Sequence, residues 1–426
     1  MAALSRTVAW TLSGNLIFAA TQWGMLVLLA RLGNRSDLGL YTLGLAITTP
    51  VFLLLSLQLR GAQATEPQSS PYRFGHYFTL RAGLSALALL LCLGYALVRA
   101  TMSDTGAGTV TSNAALAPVI GWLALAKLLD SLSDVCYGHW QAQGRLPEVA
   151  RSLILRGALS VGLLGAAFAL TRQASWAAAG TAAGYLIAWL AYDLPRTRRG
   201  AAGERWWLPV WPTLRSLTRL TWPLGVAVGL IALNASLPRY FLAHERGVAA
   251  VGLFSALSYV TVAGSMVVTA LGQAATTPLA RLVEAGETGA FRSLLGRLLL
   301  GGVGIGVAGV LGAALLGGPL LRLLYGPPYA AEAPLFVLLM AAAGLSYVAS
   351  FAGFGMTALR QFRAQVPLFL ATTLSLLLSC WLWIPVAGLS GAAWALALSA
   401  AVQLLGSLWV VARALHRAAP LTAVRL

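Results

Sequence analysis

The chain has 426 residues, 58% of them hydrophobic and only 10% charged, with a mean hydropathy of +0.78, a composition that excludes a water-soluble domain of this size. A net charge of +17 would suit nucleic acid, but the basic residues fall between apolar runs rather than in one patch, which excludes that partner. Cys92, Cys136 and Cys380 all lie within apolar runs, so no disulfide framework is implied, and the four histidines show no metal-ligand spacing.

Twelve apolar runs follow one another, roughly at 8–31, 38–59, 78–98, 115–140, 153–170, 175–193, 221–243, 250–272, 293–316, 333–357, 366–385 and 391–412. Most reach the 18 or so residues that a membrane-spanning helix needs. The chain therefore reads as an all-α, polytopic integral membrane protein with about twelve transmembrane helices. The first run carries Asn15 and Gln22, seven residues apart and on one helix face. It leads straight into the second, as a retained first helix does and a cleaved signal peptide does not. The second run ends on Gln58 and Arg60.

The fourth run, within 118–145, carries Lys127, the only lysine of the chain, together with Asp130 and Asp134. At about 100° per residue, Lys127 and Asp134 share a face and Asp130 sits about 60° aside. Each charge at the bilayer centre costs about 2.5–3.5 kcal/mol, against about 0.3–0.6 returned by each apolar residue. The stripe must therefore face protein or water inside protein. Lys127 and Asp134 are about 10.5 Å apart along the axis. The spacing makes Lys127–Asp130 the static pair and leaves Asp134 less neutralised, as the coupling or gating acid. A purely structural role, fixing helix packing, is the alternative for the whole stripe.

The fifth run carries Arg156. The connection 194–220 is the most basic of the chain and holds Trp206, Trp207 and Trp211, a mixture suited to the membrane interface. It separates an N-terminal six-helix lobe, 1–193, from a C-terminal one, 221–426. The seventh run carries Asn234 and, after Pro238, Arg239. Gly180/Gly184 and Gly225/Gly229 are spaced for close helix approach.

With the N-terminus inside, twenty arginines fall in inner segments and six in outer ones. That bias places both termini and the 194–220 connection in the cytoplasm. Residues 29–42, LARLGNRSDLGLYT, align without a gap with 242–255, LAHERGVAAVGLFS, at an offset of 213. Leu29/Leu242, Ala30/Ala243, Gly39/Gly252 and Leu40/Leu253 are identical. YGHWQAQGR (137–145) pairs with AGFGMTALR (352–360) at nearly the same offset. Six spans per repeat is an even number, so the two lobes would be parallel.

No paired carboxylates, no phosphate-binding glycine loop with lysine and no nucleophile–histidine grouping stands out. The longer outer connections, near 99–113 and 317–331, are short and carry one acid each, Asp104 and Glu332. A polysaccharide polymerase or ligase would need a larger outer loop. The expectation is a protein that is not an enzyme and uses neither cofactor nor metal. Cations at membrane depth suit an anionic cargo, and amides beside them suit sugar hydroxyls.

Residues 13–66, with GN, QW, LARLG, LGLYTLGLAIT and LQLRGAQATE, resemble polysaccharide-transport flippases of the Wzx O-antigen type, in the multidrug/oligosaccharidyl-lipid/polysaccharide (MOP) superfamily. The likeness continues through 125–145, 237–259, LYGPPY at 324–329 and 388–404, and so covers nearly the whole chain. It implies two lobes around a central cationic cavity that opens alternately to either side. It also implies an undecaprenyl-pyrophosphate-linked oligosaccharide as cargo, flipped across the bacterial inner membrane for surface polysaccharide or O-antigen assembly. Two C-terminal helices of some relatives are missing, which sets the chain apart from the fourteen-helix lipid II flippase.

On this reading Arg239, Lys127 and Arg60 attract the pyrophosphate, with Arg239 facing the space between the lobes. Asn15, Gln22, Gln58 and Asn234 offer hydrogen bonds to sugar, and Asp130 and Asp134 balance Lys127. The partners implied are the lipid-linked anionic oligosaccharide, membrane lipids, a proton or sodium ion for coupling, and polysaccharide assembly proteins. The alternatives are a multidrug/cation antiporter of the same superfamily, in which acids should outnumber bases, and the membrane polymerase or ligase.

Overall fold

The computed structural model describes residues 2–66, 71–101, 113–201, 203 and 205–418. Asp104 lies outside them. The described residues form helices and no strand, as a bilayer requires of a chain that must satisfy its backbone polar groups internally.

Helix α1 (Ala2–Leu32) is followed by α2 (Arg35–Leu55), the short α3 (Leu59–Ala64), α4 (Phe74–Thr101), α5 (Asn113–Ala142) and α6 (Leu146–Thr171). Helix α7 (Ala174–Ala188) runs through one π turn, Trp189–Asp193, into α8 (Leu194–Gly200). Then come α9 (Trp211–Glu245), α10 (Val248–Glu284), α11 (Thr288–Tyr325), the single turn α12 (Pro327–Ala330), α13 (Ala333–Ala358) and α14 (Phe362–Ala418).

Ten of these helices are long and apolar enough to cross a membrane. Helix α14 is broken at Gly388, whose φ of 58° and ψ of −124° lie outside helical space, which divides it between the last two apolar runs. Helix α7, over the sixth run, has 15 residues and falls short of the length a spanning helix needs. Most of the stretch expected to be a connection, 194–220, is helical: α8 occupies its start and the first turns of α9 its end. Between them, Trp206 packs edge-on against Phe74 and Phe78, and the Leu208 amide donates to Thr79 Oγ1 at 2.8 Å.

Helix ends are set by local chemistry. Asn34 caps α2, accepting the Ser36 and Asp37 amides, while Asp37 accepts the Asn34 amide in return. Arg172, left-handed at the end of α6, donates to the Leu32 carbonyl at 2.5 Å and so satisfies the end of α1. Helix boundaries also recur along the chain. α1 ends at Leu32 and α9 at Glu245; α2 begins at Arg35 and α10 at Val248; α4 begins at Phe74 and α11 at Thr288. These spacings of 213 to 214 residues match the offset of the sequence repeat.

The chain divides into two compact units. One comprises 1–236 with 247–252, the other 237–246 with 253–426. In the first, α1 packs on α6, α6 on α7, and α5 on α2, α4 and α7. Gly180 and Gly184 let α7 approach the backbone of α6 at Leu163 and Ser160. Gly225 and Gly229 do the same for α9 against Leu54. Gly39 and Gly252, an identical pair of the repeat, also lie in this unit, where a Cβ on either would strike the carbonyl oxygen of Val248 or of Arg35 respectively. In the second unit, α13 packs between α11 and α14. Its apolar core includes Leu279, Phe291, Leu295, Met356 and Val411.

Candidate functional site: a charged cluster inside the first unit

Helix α5 carries Lys127, Asp130 and Asp134 at spacings of three and four, so successive turns bring them to neighbouring positions on its surface. Asp130 is held on both oxygens. Arg156 of α6 lies 2.6 Å from Oδ1 and Lys127 lies 3.8 Å from Oδ2. Asp134 is held in the same way, by Arg81 of α4 at 2.8 Å from Oδ2 and by Arg60 of α3 at 3.4 Å from Oδ1. Each aspartate thus joins a sealed arginine to a more open cation. The Arg81 and Arg156 side chains are only 5% and 3% exposed, while those of Lys127 and Arg60 are 26% and 33% exposed.

The sealed arginines are held by more than charge. Arg81 donates through Nη1 to the Ser56 carbonyl at 2.6 Å and through Nε to the Ser131 carbonyl at 3.1 Å. Ser56 is where α2 stops, because Leu57 and Gln58 turn left-handed with φ near 49° and 52°. That break frees carbonyls inside the span, and Arg81 occupies one. Arg156 instead lies among rings, 4.8 Å from Phe18, 4.9 Å from Tyr185 and 5.5 Å from Tyr137. Arg60 stands 5.4 Å from the same Tyr137 ring and donates through Nε to Gln141 Oε1 at 3.4 Å. Gln22 joins through its Nε2, which donates to the Tyr185 hydroxyl at 3.3 Å.

Four cations face two aspartates in this cluster, an excess of two positive charges. Among the described residues no three His, Cys, Asp or Glu side chains come together as a metal site.

One expectation needs correction. Asp134 is not the less neutralised carboxylate, because Arg81 and Arg60 both reach it. Lys127 does pair with Asp130, as the spacing implies, and Arg156 adds a second partner that is closer by 1.2 Å. The i, i+3 and i, i+4 spacing on one helix shows only that helix's own charges. The stronger partners come from α4 and α6.

Of the expected site residues, the structure brings together Lys127, Asp130, Asp134, Arg60 and Gln22. Gln58 supplies the left-handed step just before Arg60, and Asn15 lies exposed on α1. Asn234 and Arg239 belong to α9. The Asn234 Oδ1 is buried and makes no hydrogen bond among the described residues. Arg239, in the second unit, is half-buried. Its Nε donates to Ser255 Oγ at 3.0 Å, and its guanidinium lies 5.9 Å from the Phe254 ring. Phe254 and Ser255 align with Tyr41 and Thr42 in the sequence repeat.

Arg81 and Tyr137 were not singled out by sequence reasoning. Nor was a second ion cluster in which Glu148 accepts from Arg196 at 2.5 Å and from the Tyr192 hydroxyl at 2.7 Å.

No protein-family model matches the chain. It is 24% identical over 404 residues to a capsular polysaccharide biosynthesis protein, CapF, of Staphylococcus aureus, covering 92% of this chain and 95% of that protein. An inward-facing multidrug-resistance MATE family transporter of the MOP superfamily superposes with a TM-score of 0.72 at 14% identity, over 97% of this chain and 100% of that one. The chain shares the fold of that transporter. The lipid II flippase MurJ, in an inward closed conformation, superposes with a TM-score of 0.73 at 12% identity, over 96% of this chain and 90% of that one. A MOP transporter from Pyrococcus furiosus, for which a reversed polarity of the binding pocket was taken to suggest a different function, gives 0.55 at 13% identity, over 97% and 95% of the two chains. The chain is thus a multi-pass helical membrane protein, similar along most of its length to a protein of polysaccharide biosynthesis.

Proposed function

We propose that the protein is an alternating-access flippase that carries an undecaprenyl-pyrophosphate-linked oligosaccharide across the bacterial cytoplasmic membrane, with both termini in the cytoplasm. The observation that carries this reading is the charge excess at membrane depth: Arg60, Arg81, Lys127 and Arg156 against Asp130 and Asp134. Four cations in a spanning segment are costly. Two of them are held by aspartates, carbonyls and rings, which leaves the more open Arg60 and Lys127 as the pair able to meet a pyrophosphate. Arg239 is assigned as the corresponding cation of the second unit, with Asn15, Gln22, Gln58 and Asn234 as hydrogen-bonding partners of sugar. The similarity to CapF supports a role in surface polysaccharide assembly, and the likeness to MurJ shows that the fold accommodates a lipid-linked cargo in at least that protein.

The MATE fold likeness favours a second reading, export of cationic drugs. The positive excess opposes it, since a cationic cargo would meet repulsion. Deleting the gene and restoring single variants tests the proposal. Loss of surface polysaccharide with accumulation of its lipid-linked precursor is expected on deletion. It should persist with Arg60→Ala/Lys127→Ala at normal protein level. A deletion strain with intact surface polysaccharide and heightened sensitivity to organic cations would replace the proposal with drug export.

A further inference from the structure

The first turns of α9 carry charge that the cluster around α5 does not use. Trp211, Arg215, Arg219 and Trp222 follow one another at spacings of four, four and three, which sets them within about 80° on one side of the helix. All four are exposed, Trp211 by 77% and Trp222 by 53%. Residues 205–244 contain no acid, and neither arginine pairs with one elsewhere among the described residues. Beyond Arg219, every exposed residue of α9 as far as Ala235 is apolar, Leu220, Leu224 and Ile231 among them. The arginines therefore stand where a polar surface gives way to an apolar one, between two tryptophans of the kind that favour the membrane interface.

Another face of the same turns is buried. Leu214, Leu217 and Thr221 lie on it, and Leu217 shares an apolar cluster with Leu57, Leu59, Phe74, Tyr77 and Val135. Ser216 meets the Tyr72 hydroxyl at 2.9 Å. Farther along, Gly225 lies against the Leu54 carbonyl and the Leu57 backbone. Leu57 is the first of the two left-handed residues at which α2 breaks, and Arg60 comes just after that break. The start of α9 thus shows its arginines on one side and backs the seat of Arg60 on another.

We infer that Arg215 and Arg219 bind the phosphodiester of an anionic phospholipid, with Trp211 and Trp222 bordering it, and that the bound lipid steadies the α2 break. On the orientation proposed above, this end of α9 is cytoplasmic and the lipid belongs to the inner leaflet. The arginines are about 6 Å apart along the axis, a gap that two long side chains span to share one phosphate. The preference for an anionic over a zwitterionic lipid follows from charge, about fivefold for each arginine near the surface. A helix start held on both faces limits the movement of Leu217 and Gly225 against Leu57, and so keeps Arg60 within reach of Asp134. The support given to Arg60 rests on the transport reading above; the lipid site itself does not.

A photoreactive phenylalanine analogue in place of Trp222, in the purified full-length protein, reports what occupies the site and needs no cargo. In vesicles of equimolar phosphatidylglycerol and phosphatidylcholine with the same acyl chains, it should cross-link phosphatidylglycerol in preference by about tenfold or more, and less so as salt rises. Arg215→Ala/Arg219→Ala should remove the preference. Arg215→Lys/Arg219→Lys should keep part of it, because charge survives without the planar fork. Arg292→Ala/Arg297→Ala, on exposed arginines of α11, should leave it intact. A preference that survives Arg215→Ala/Arg219→Ala, or that falls equally with Arg292→Ala/Arg297→Ala, overturns the site. Displacement of the lipid by soluble glycerol phosphate, or capture of protein in place of lipid in native membranes, gives the face to another occupant and overturns it equally. Wild type should also flip the lipid-linked sugar several-fold faster with phosphatidylglycerol present than in phosphatidylcholine alone, and Arg215→Ala/Arg219→Ala should lose that response. A variant that still responds overturns the support given to Arg60. Wild type that shows the cross-linking preference yet flips no lipid-linked sugar refutes the flippase reading and leaves the lipid site standing.

Discussion

Helices α5 and α13 each form the heart of their unit by opposite means. Helix α5 carries Lys127, Asp130 and Asp134 and gathers arginines from α3, α4 and α6. Helix α13, Ala333–Ala358, has no charged residue. Its Gly344 meets Gly306 of α11 with so little room that a Cβ on Gly306 would lie 2.8 Å from the Gly344 Cα, and its Phe351 lies under Gly302. In a bilayer the hydrophobic effect does not bring helices together, so either close backbone packing or satisfied polar groups must do it. Both solutions hold a bundle. Only the charged one also offers groups able to bind an ion or a phosphate, so the first unit is where chemistry should be sought.

That contrast can be broken by exchanging the kinds of damage. Asp130→Asn should be the most damaging, because it leaves Arg156, 3% exposed, as an uncompensated buried charge. Removing one partner of a buried pair costs about 3–5 kcal/mol. Protein level in the membrane and melting temperature in detergent should both fall sharply. Gly306→Val should come next, at about 1–3 kcal/mol of overpacking against Gly344, with no change in the pH dependence of transport. Asp134→Asn should cost about 1–3 kcal/mol, because Arg81 keeps its two carbonyls. Lys127→Met should change stability least, by about 1 kcal/mol or less, since Asp130 retains Arg156. It should nevertheless slow flipping, because an open cation is lost. A Lys127→Met protein with wild-type flipping rate would remove Lys127 from the substrate path.

The sequence made the helices legible because bilayer length and hydropathy leave few other solutions. The positions of Gly180, Gly184, Gly225 and Gly229 likewise announced close approach, and each meets the backbone or side chain of a neighbouring helix. The charged stripe of α5 was legible as a stripe, since its cost in lipid demands protein around it. Its partners were not. Arg81 lies near the start of α4 and looks like an ordinary interfacial arginine. Only the left-handed break at Leu57 and Gln58 brings a free carbonyl and an aspartate to it together. The burial of Asp193 was hidden for a similar reason. At the end of a span an aspartate is unremarked, and the π turn that buries it has no sequence signature.

The most direct measurement follows a defined undecaprenyl-pyrophosphate-linked oligosaccharide across the bilayer of vesicles containing the purified protein, comparing wild type, Arg239→Ala and Arg239→Lys. Wild type should move the sugar to the outer leaflet. Arg239→Ala should fall by about tenfold or more, equivalent to about 1.4 kcal/mol, while Arg239→Lys keeps part of the rate because the charge survives without the planar fork. Full activity of Arg239→Ala would take Arg239 out of the path. No transfer by folded wild type, alongside proton-driven movement of an organic cation in the same vesicles, would contradict the account.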